Sequence, residues 1–252
     1  MVRTTLMLAM GLAALPCHAE DEPAVTPYRP TVSNPAQLPA PGQLELELGG
    51  LSSKTGEARR ASLPYTFKLA FNEEWGVLLG GEALVSAHDE GAPRVRGVGD
   101  TSLVLKRAWT LAPGSALGLE LGAKAPTAKD GIGSGKADYS MNGIYSRDMG
   151  SVHFDGNLTF TRIGAIDAGQ GRTQTGWAAA FSTPLSEQWG VDAELSGTHQ
   201  HGTDNTAQLL VAATYSPTPR LTIDVGVARG LNRASPDWSL FSGLVLPLAK
   251  FW

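Results

Sequence analysis

Between Val152 and Thr161 the chain alternates with a period of two. Val152, Phe154, Leu158 and Phe160 fall on one parity, and His153, Asp155, Asn157, Thr159 and Thr161 on the other. Successive strand side chains point to opposite faces, so this stretch predicts a strand that is apolar on one side and wet on the other. A soluble sheet with one solvated face carries the same signal, so one strand does not separate the two architectures. The pattern recurs along the whole chain. It predicts strands over 43–51, 61–71, 75–86, about 100–109, 115–126, 173–182, 189–198, 206–216, 221–228 and 237–252. Two more form a hairpin across 136–163, turning at Asp148-Met149-Gly150. The 75–86 strand is the ambiguous one, because Val77-Leu78-Leu79-Gly80-Gly81 breaks its parity.

Two regularities turn these twelve strands into a barrel. The connections alternate in length: 72–74, 110–114, 148–150, 183–188 and 217–220 are short. Those near 52–60, 87–97, 127–135, 164–172, 199–205 and 231–236 are mostly longer and rich in Gly, Asp, Asn and basic residues. Short periplasmic turns against longer outer loops are what an even-stranded membrane barrel with both termini inside requires. Aromatics also gather beside the short turns: Phe71, Trp75, Trp109, Tyr145, Phe181, Trp189, Tyr215 and Trp252. Amphipathic rings favour a membrane interface, so these eight read as a periplasmic girdle.

The charges follow the same parity. Arg107, Arg147, Arg162 and Lys250 fall on the apolar face but near strand ends, where a cation costs about 0–1 kcal/mol rather than the roughly 2–4 of the bilayer midplane. The opposite parity carries Glu45, Glu47, Glu82, Glu120, Asp138, Asp155, Asp192, Glu194 and Asp224, with Lys68, Lys106 and Lys124, and with Asn142, His153 and Asn157. These are the residues expected to line the lumen, which is then polar and net acidic. The fold class that results is all-β: a single transmembrane antiparallel up-and-down barrel of about twelve strands over 43–252, both termini periplasmic.

Composition agrees. Glycine supplies 30 of 252 residues, well above the average of roughly 7%, and charged residues are 17% against roughly 25%. At 42% hydrophobic and a mean hydropathy of −0.08, the chain cannot supply helical spans of about 20 apolar residues. Residues 1–19 read as a secretory signal, with Arg3, an apolar run from Thr5 to Leu15, and Cys17-His18-Ala19 before Glu20. Its removal takes the only cysteine and one cation, so the net charge deepens from −4 and nucleic-acid binding is excluded. Lipidation at Cys17 is the competing idea, in a poor context after Leu15-Pro16. Residues 20–42 hold Pro23, Pro27, Pro30, Pro35, Pro39 and Pro41. Proline fixes φ and lacks the amide hydrogen, so this stretch reads as an extended periplasmic lead-in outside any ladder, with a partial plug as the alternative.

Nothing in the chain assembles a catalytic site. Ser151 and His153 share a face, but no strand-turn-helix nucleophile elbow is present. His199, His201 and Asp204 read as a solvated loop rather than a metal site. Gly131-Ile132-Gly133-Ser134-Gly135 opens no helix and is not a phosphate cradle. Neither cofactor nor metal is expected. The final segment places Leu244, Leu246, Leu248 and Trp252 on one face, with Pro247 arguing against a helix. A terminal aromatic after such alternation looks like the signal read by the outer-membrane insertion machinery.

Three stretches carry a family resemblance. Arg29-Pro30-Thr31 through Asn34-Pro35 to Pro41-Gly42-Gln43-Leu44-Glu45 leads into the first strand. Gly97-Val98-Gly99-Asp100, with Leu103 and Lys106, opens the fourth. Lys124-Ala125-Pro126-Thr127 precedes Gly133-Ser134-Gly135-Lys136, Asp138 and Tyr139. Together they resemble the outer-membrane porin family associated with the meta-pathway of phenol degradation, with Tyr28 standing where that family usually has an acid. The resemblance implies a barrel in the bacterial outer membrane acting as a transporter. The expected function is passive diffusion of small solutes, aromatic or other hydrophobic compounds among them, with outer-membrane lipid as the surrounding partner. The alternatives are a closed structural or surface-binding barrel, or an outer-membrane hydrolase.

Overall fold

A computed structural model describes residues 23–252; the signal expected at 1–19, with Cys17, lies outside them. Thirteen strands follow in order: β1 (Gln43–Thr55), β2 (Ala58–Ala70), β3 (Trp75–His88), β4 (Val95–Gly97), β5 (Thr101–Ala112), β6 (Ser115–Ala125), β7 (Asp138–Met149), β8 (Val152–Arg162), β9 (Thr173–Pro184), β10 (Trp189–Gln200), β11 (Thr206–Thr218), β12 (Leu221–Gly230) and β13 (Trp238–Lys250). All neighbours are antiparallel, and the first strand pairs with the last from Gln43 opposite Lys250 to Lys54 opposite Trp238. Closure leaves no sheet edge.

The wall has twelve positions. β4 pairs with β3 at Val85–Ala87, and β5 takes over the same edge at Trp75–Gly81, so the two act as one interrupted strand. At the interruption the Gly99 amide donates to the Glu82 carbonyl at 2.9 Å, and Asp100 accepts from the Ala128 amide at 3.0 Å and pairs with Lys124 at 2.9 Å. The Gly-x-Gly-Asp stretch thus stitches the break to the β6 side.

Burial is inverted relative to a soluble domain. Lys68, Lys106, Glu45, Glu194 and Asp224 are almost wholly shielded, whereas Leu103, Leu121, Leu158, Leu195, Val225 and Leu240 are among the most exposed side chains. One face of every strand meets the solvent of the apolar outside, the other a polar interior.

Three local expectations are corrected. The ladder between β1 and β2 continues to Thr55 opposite Ala58, so 52–60 is no long loop but a tight hairpin at Gly56-Glu57, with Gly56 at a φ of 57°. The β7–β8 turn is Gly150-Ser151 rather than 148–150, and Gly150 supplies the positive φ of 70°. The parity of β3 breaks beyond Gly81, not at 77–81. Leu78 is buried and Leu79 exposed as alternation demands, but Pro64 faces Glu82 while Ser62 faces Val85. The extra residue is a bulge that leaves Ala83 and Leu84 outside and turns Val85 fully inward.

Candidate functional site: the lumen and its occupant

The extended lead-in expected outside the barrel is instead seated within it. Its prolines cannot donate to a ladder, but its other amides must still find acceptors, and the wall supplies them. Thr26 donates to Glu45 at 3.1 Å, Tyr28 to Glu47 at 2.7 Å, and Ser33 to Glu194 at 2.8 Å. Asn34 donates to the Asn157 side-chain oxygen at 3.0 Å, and Ala36 to the Ser146 hydroxyl at 2.7 Å. Three acids on the inward parity, Glu45, Glu47 and Glu194, therefore serve as backbone acceptors for this segment.

Its side chains are held as firmly. Arg29 makes a bidentate pair with Asp224, at 2.9 and 3.0 Å, the geometry in which a guanidinium binds a carboxylate best. Tyr28 lies between two cations, its ring centroid 4.3 Å from Lys68 Nζ and 4.0 Å from Lys106 Nζ, and its hydroxyl donates to the Gln37 carbonyl at 2.7 Å. Burial above all, and then the carboxylates of Glu120, Glu47 and Glu45, hold that phenol well above its ordinary pKa, so it stays neutral. Lys68 also donates to the Thr26 carbonyl and Lys106 to that of Pro35, the latter at 2.5 Å.

The wall is shaped for this occupant. Gly49 and Gly243 face each other across β1 and β13, and the Arg29 guanidinium lies against both. A Cβ at Gly49 would come within 2.6 Å of Arg29 Nη1, and one at Gly243 would collide with Nε. Gly243→Val is therefore expected to expel Arg29 from Asp224 and to raise single-channel conductance in a planar bilayer. Conductance equal to the wild type would show that Arg29 re-seats around the added methyls.

The predicted lumen residues separate into groups. Lys68 bridges Glu45 at 3.1 Å and Glu47 at 2.6 Å, and Lys106 meets Glu120 at 3.1 Å. Asn142 joins Glu120 and Asn157 at 3.0 and 2.9 Å. Further along the axis Glu82 pairs with Arg60, and Lys124 bridges Asp100 and Asp138 at 2.9 and 2.8 Å. At the other end Asp155 accepts from Ser146, and His153 sits 2.5 Å from Asp148 and 3.3 Å from Asp155. His153 is thus engaged by carboxylates, while Ser151 is held through its carbonyl by Thr183 at 2.9 Å. His199 faces Asn205 at 2.6 Å. Among the described residues no His, Cys, Asp and Glu cluster is arranged to hold a metal.

Two cavities remain beside the seated segment. One of 520 Å³ lies toward the short turns, bounded by Tyr28, Arg29, Thr31, His153, Asp155 and Asp192. The other, 320 Å³, lies toward the long connections, bounded by Val32, Asn142, Asn157, Ser196, Gln208 and Ser235. On the inward row of β10, Glu194 sits between Asp192 of the first and Ser196 of the second. It holds the Ser33 amide of the seated segment at that level.

The eight aromatics stand at the short-turn end. Trp189 packs on Tyr215 with centroids 4.7 Å apart, and Phe181 on Phe154 at 5.1 Å. Trp75 and Trp109 flank the Arg107 guanidinium at 5.0 and 4.7 Å. Tyr145 accepts from Arg147 at 3.4 Å, and Phe71 and Trp252 are exposed.

Solved structures with this architecture, at low sequence identity, include outer-membrane channels and porins. An outer-membrane channel from Pseudomonas putida F1 superposes with a TM-score of 0.66 at 15% identity, covering 84% of this chain and 98% of its own. The NanC porin gives 0.59 at 9% identity, covering 81% and 100%. The CymD monoaromatic hydrocarbon channel gives 0.54 at 9%, covering 84% and 90%. No curated protein sequence matches the chain. The family described as "Putative MetA-pathway of phenol degradation" matches residues 29–248, from the arginine that anchors the seated segment almost to the end of β13, and the chain belongs to it.

Proposed function

We propose that the protein is a channel of the bacterial outer membrane that lets small solutes, including aromatic and other hydrophobic compounds, diffuse passively. The observation that carries this reading is a closed cylinder, apolar outside and charged inside, holding two cavities in line along one wall. The architecture of the superposed channels supports it, and the family membership supports an aromatic solute. Long connections face outward and the short turns, girdle and both termini face the periplasm. The β13 strand, followed by the exposed Trp252, is what the insertion machinery engages. The lumen does no covalent chemistry: it wets, narrows and sets charge preference.

Mild cation preference follows from the acid left over. Lys68 and Lys106 are committed to Glu45, Glu47 and Glu120, Arg29 to Asp224 and His153 to Asp155, whereas Asp192 borders the wider cavity outside the described ion pairs. Refolded protein in a planar bilayer is expected to show discrete cation-preferring steps, and Asp192→Asn to lower that preference. Anion preference in the wild type would overturn the lumen assignment. A second reading, a closed barrel, is favoured by the density of contacts on residues 23–42. Electrical silence with folding confirmed by a heat-dependent gel shift would select it.

A further inference from the structure

The outside of the wall carries a second feature, at its long-connection end. Arg229 of β12 lies opposite Trp238 of β13, Trp238 opposite Lys54 of β1, Lys54 opposite Arg59 of β2, and Arg59 opposite His88 of β3. Exposed Val227, Leu240 and Leu48 share the parity of Arg229, Trp238 and Lys54, so those three point outward. Arg59 and His88 pair on the same face. Five consecutive strands thus hold one row, in direct cross-strand register, of three cations, an imidazole and an indole. At about 4.8 Å between strands the row spans roughly 19 Å.

Among the described residues these cations enter no ion pair. The described ion pairs engage Arg29, Arg60, Lys68, Lys106, Arg107 and Lys124, but not Lys54, Arg59, Arg94, Arg96 or Arg229. His88 Nδ1 is buried and has no hydrogen-bond partner. One outward step nearer the middle of the wall come Ser52, Ala61 and Ser86, themselves in register, with Arg96 opposite Ser86. These small side chains help leave a 160 Å³ recess bordered also by Arg59, His88 and Arg94. Glu57 and Glu90 border a wider hollow beyond the row, toward the loop tips, and both are exposed.

We propose that this row binds the phosphorylated headgroup of an outer-leaflet glycolipid, phosphate against Arg59, Lys54 and Arg229, with an acyl chain along Leu240 and Val227. The inference rests on the outer-membrane orientation given above. Charge complementarity selects the occupant: the cations form a belt at the rim of the apolar band, where a membrane whose outer leaflet bears phosphates places its headgroups. Arginine favours phosphate through its paired donors, and Trp238 suits the interface on which the headgroup rests.

The test uses the refolded full mature protein, purified lipid A, and the triple variant Lys54→Gln/Arg59→Gln/Arg229→Gln, each checked for folding by the heat-dependent gel shift. Wild type is expected to bind lipid A at least tenfold more tightly than the triple variant. Arg107→Gln/Arg147→Gln, which removes cations at the opposite end, is expected to leave binding unchanged. Lipid A stripped of its phosphates should bind wild type and triple variant alike. Equal lipid A affinity in wild type and triple variant, or indifference of the wild type to dephosphorylation, would overturn the proposal. Displacement by millimolar inorganic phosphate as efficiently as by lipid A would assign the row to free phosphate and likewise overturn it. Because no conductance is read, a folded but silent barrel that binds lipid A fails the channel reading alone. A conducting barrel that ignores lipid A fails this inference alone.

Discussion

A mature chain lacking residues 20–42 is expected to conduct several-fold more current per channel than the complete one. The seated segment places Tyr28, Arg29, Ser33 and Asn34 against the inner wall beside the two cavities, and its loss is expected to join them into one path. The wall should survive this change. Lys68 stays paired with Glu45 and Glu47, and Lys106 with Glu120, through contacts in which the segment takes no part. Cation preference should rise together with conductance, because deletion removes Arg29 and uncovers Asp224. The measurement is paired single-channel recording of both proteins in the same salt. Equal conductance would place the limiting constriction in the wall or in the long connections, and the segment would then be a filler rather than a plug.

The barrel was legible in the sequence because each strand carries its own signal. Period-two alternation in 43–51 or 221–228 needs no partner to be read, and the ends moved by only a few residues. The lumen was legible to the same depth, since parity alone puts Glu45, Lys68 and Glu120 on the inner face. What those side chains touch was not. Glu194 looks like any lumen acid until Ser33, 161 positions away, donates its amide to it. The segment itself has no periodicity, and its prolines report only that it avoids a ladder. Two signals stood nearby: inward acids clustered on neighbouring strands, and Gly49 and Gly243 in the same inward parity, vacating room that a side chain of the wall would otherwise fill. The bulge at Ala83-Leu84 was invisible for a related reason, because only the pairing with Ser62 and Pro64 shows the added residue. The outer basic row depends on the register of five strands spread from Lys54 to Trp238, which no local pattern encodes.

The second large effect is expected from Lys68→Met. Lys68 is fully shielded, bridges Glu45 and Glu47, donates to the Thr26 carbonyl and stands against the Tyr28 ring. Removing one partner of a buried pair leaves uncompensated charge, which costs about 3–5 kcal/mol. Here two carboxylates are left, relieved only by Gln43 and the amides of Thr26 and Tyr28. Urea unfolding in lipid vesicles, followed by tryptophan fluorescence, should show that loss. Adding Glu47→Gln to Lys68→Met should restore part of it, since one of the stranded charges is then gone. The same variant should conduct more than wild type, because both cationic faces that hold Tyr28 are reduced to one. A cost of no more than about 1 kcal/mol, the value of a solvated surface pair, would mean that water reaches Lys68 freely. The segment would then not seal that side of the lumen, and the increase in conductance on its deletion should be correspondingly small.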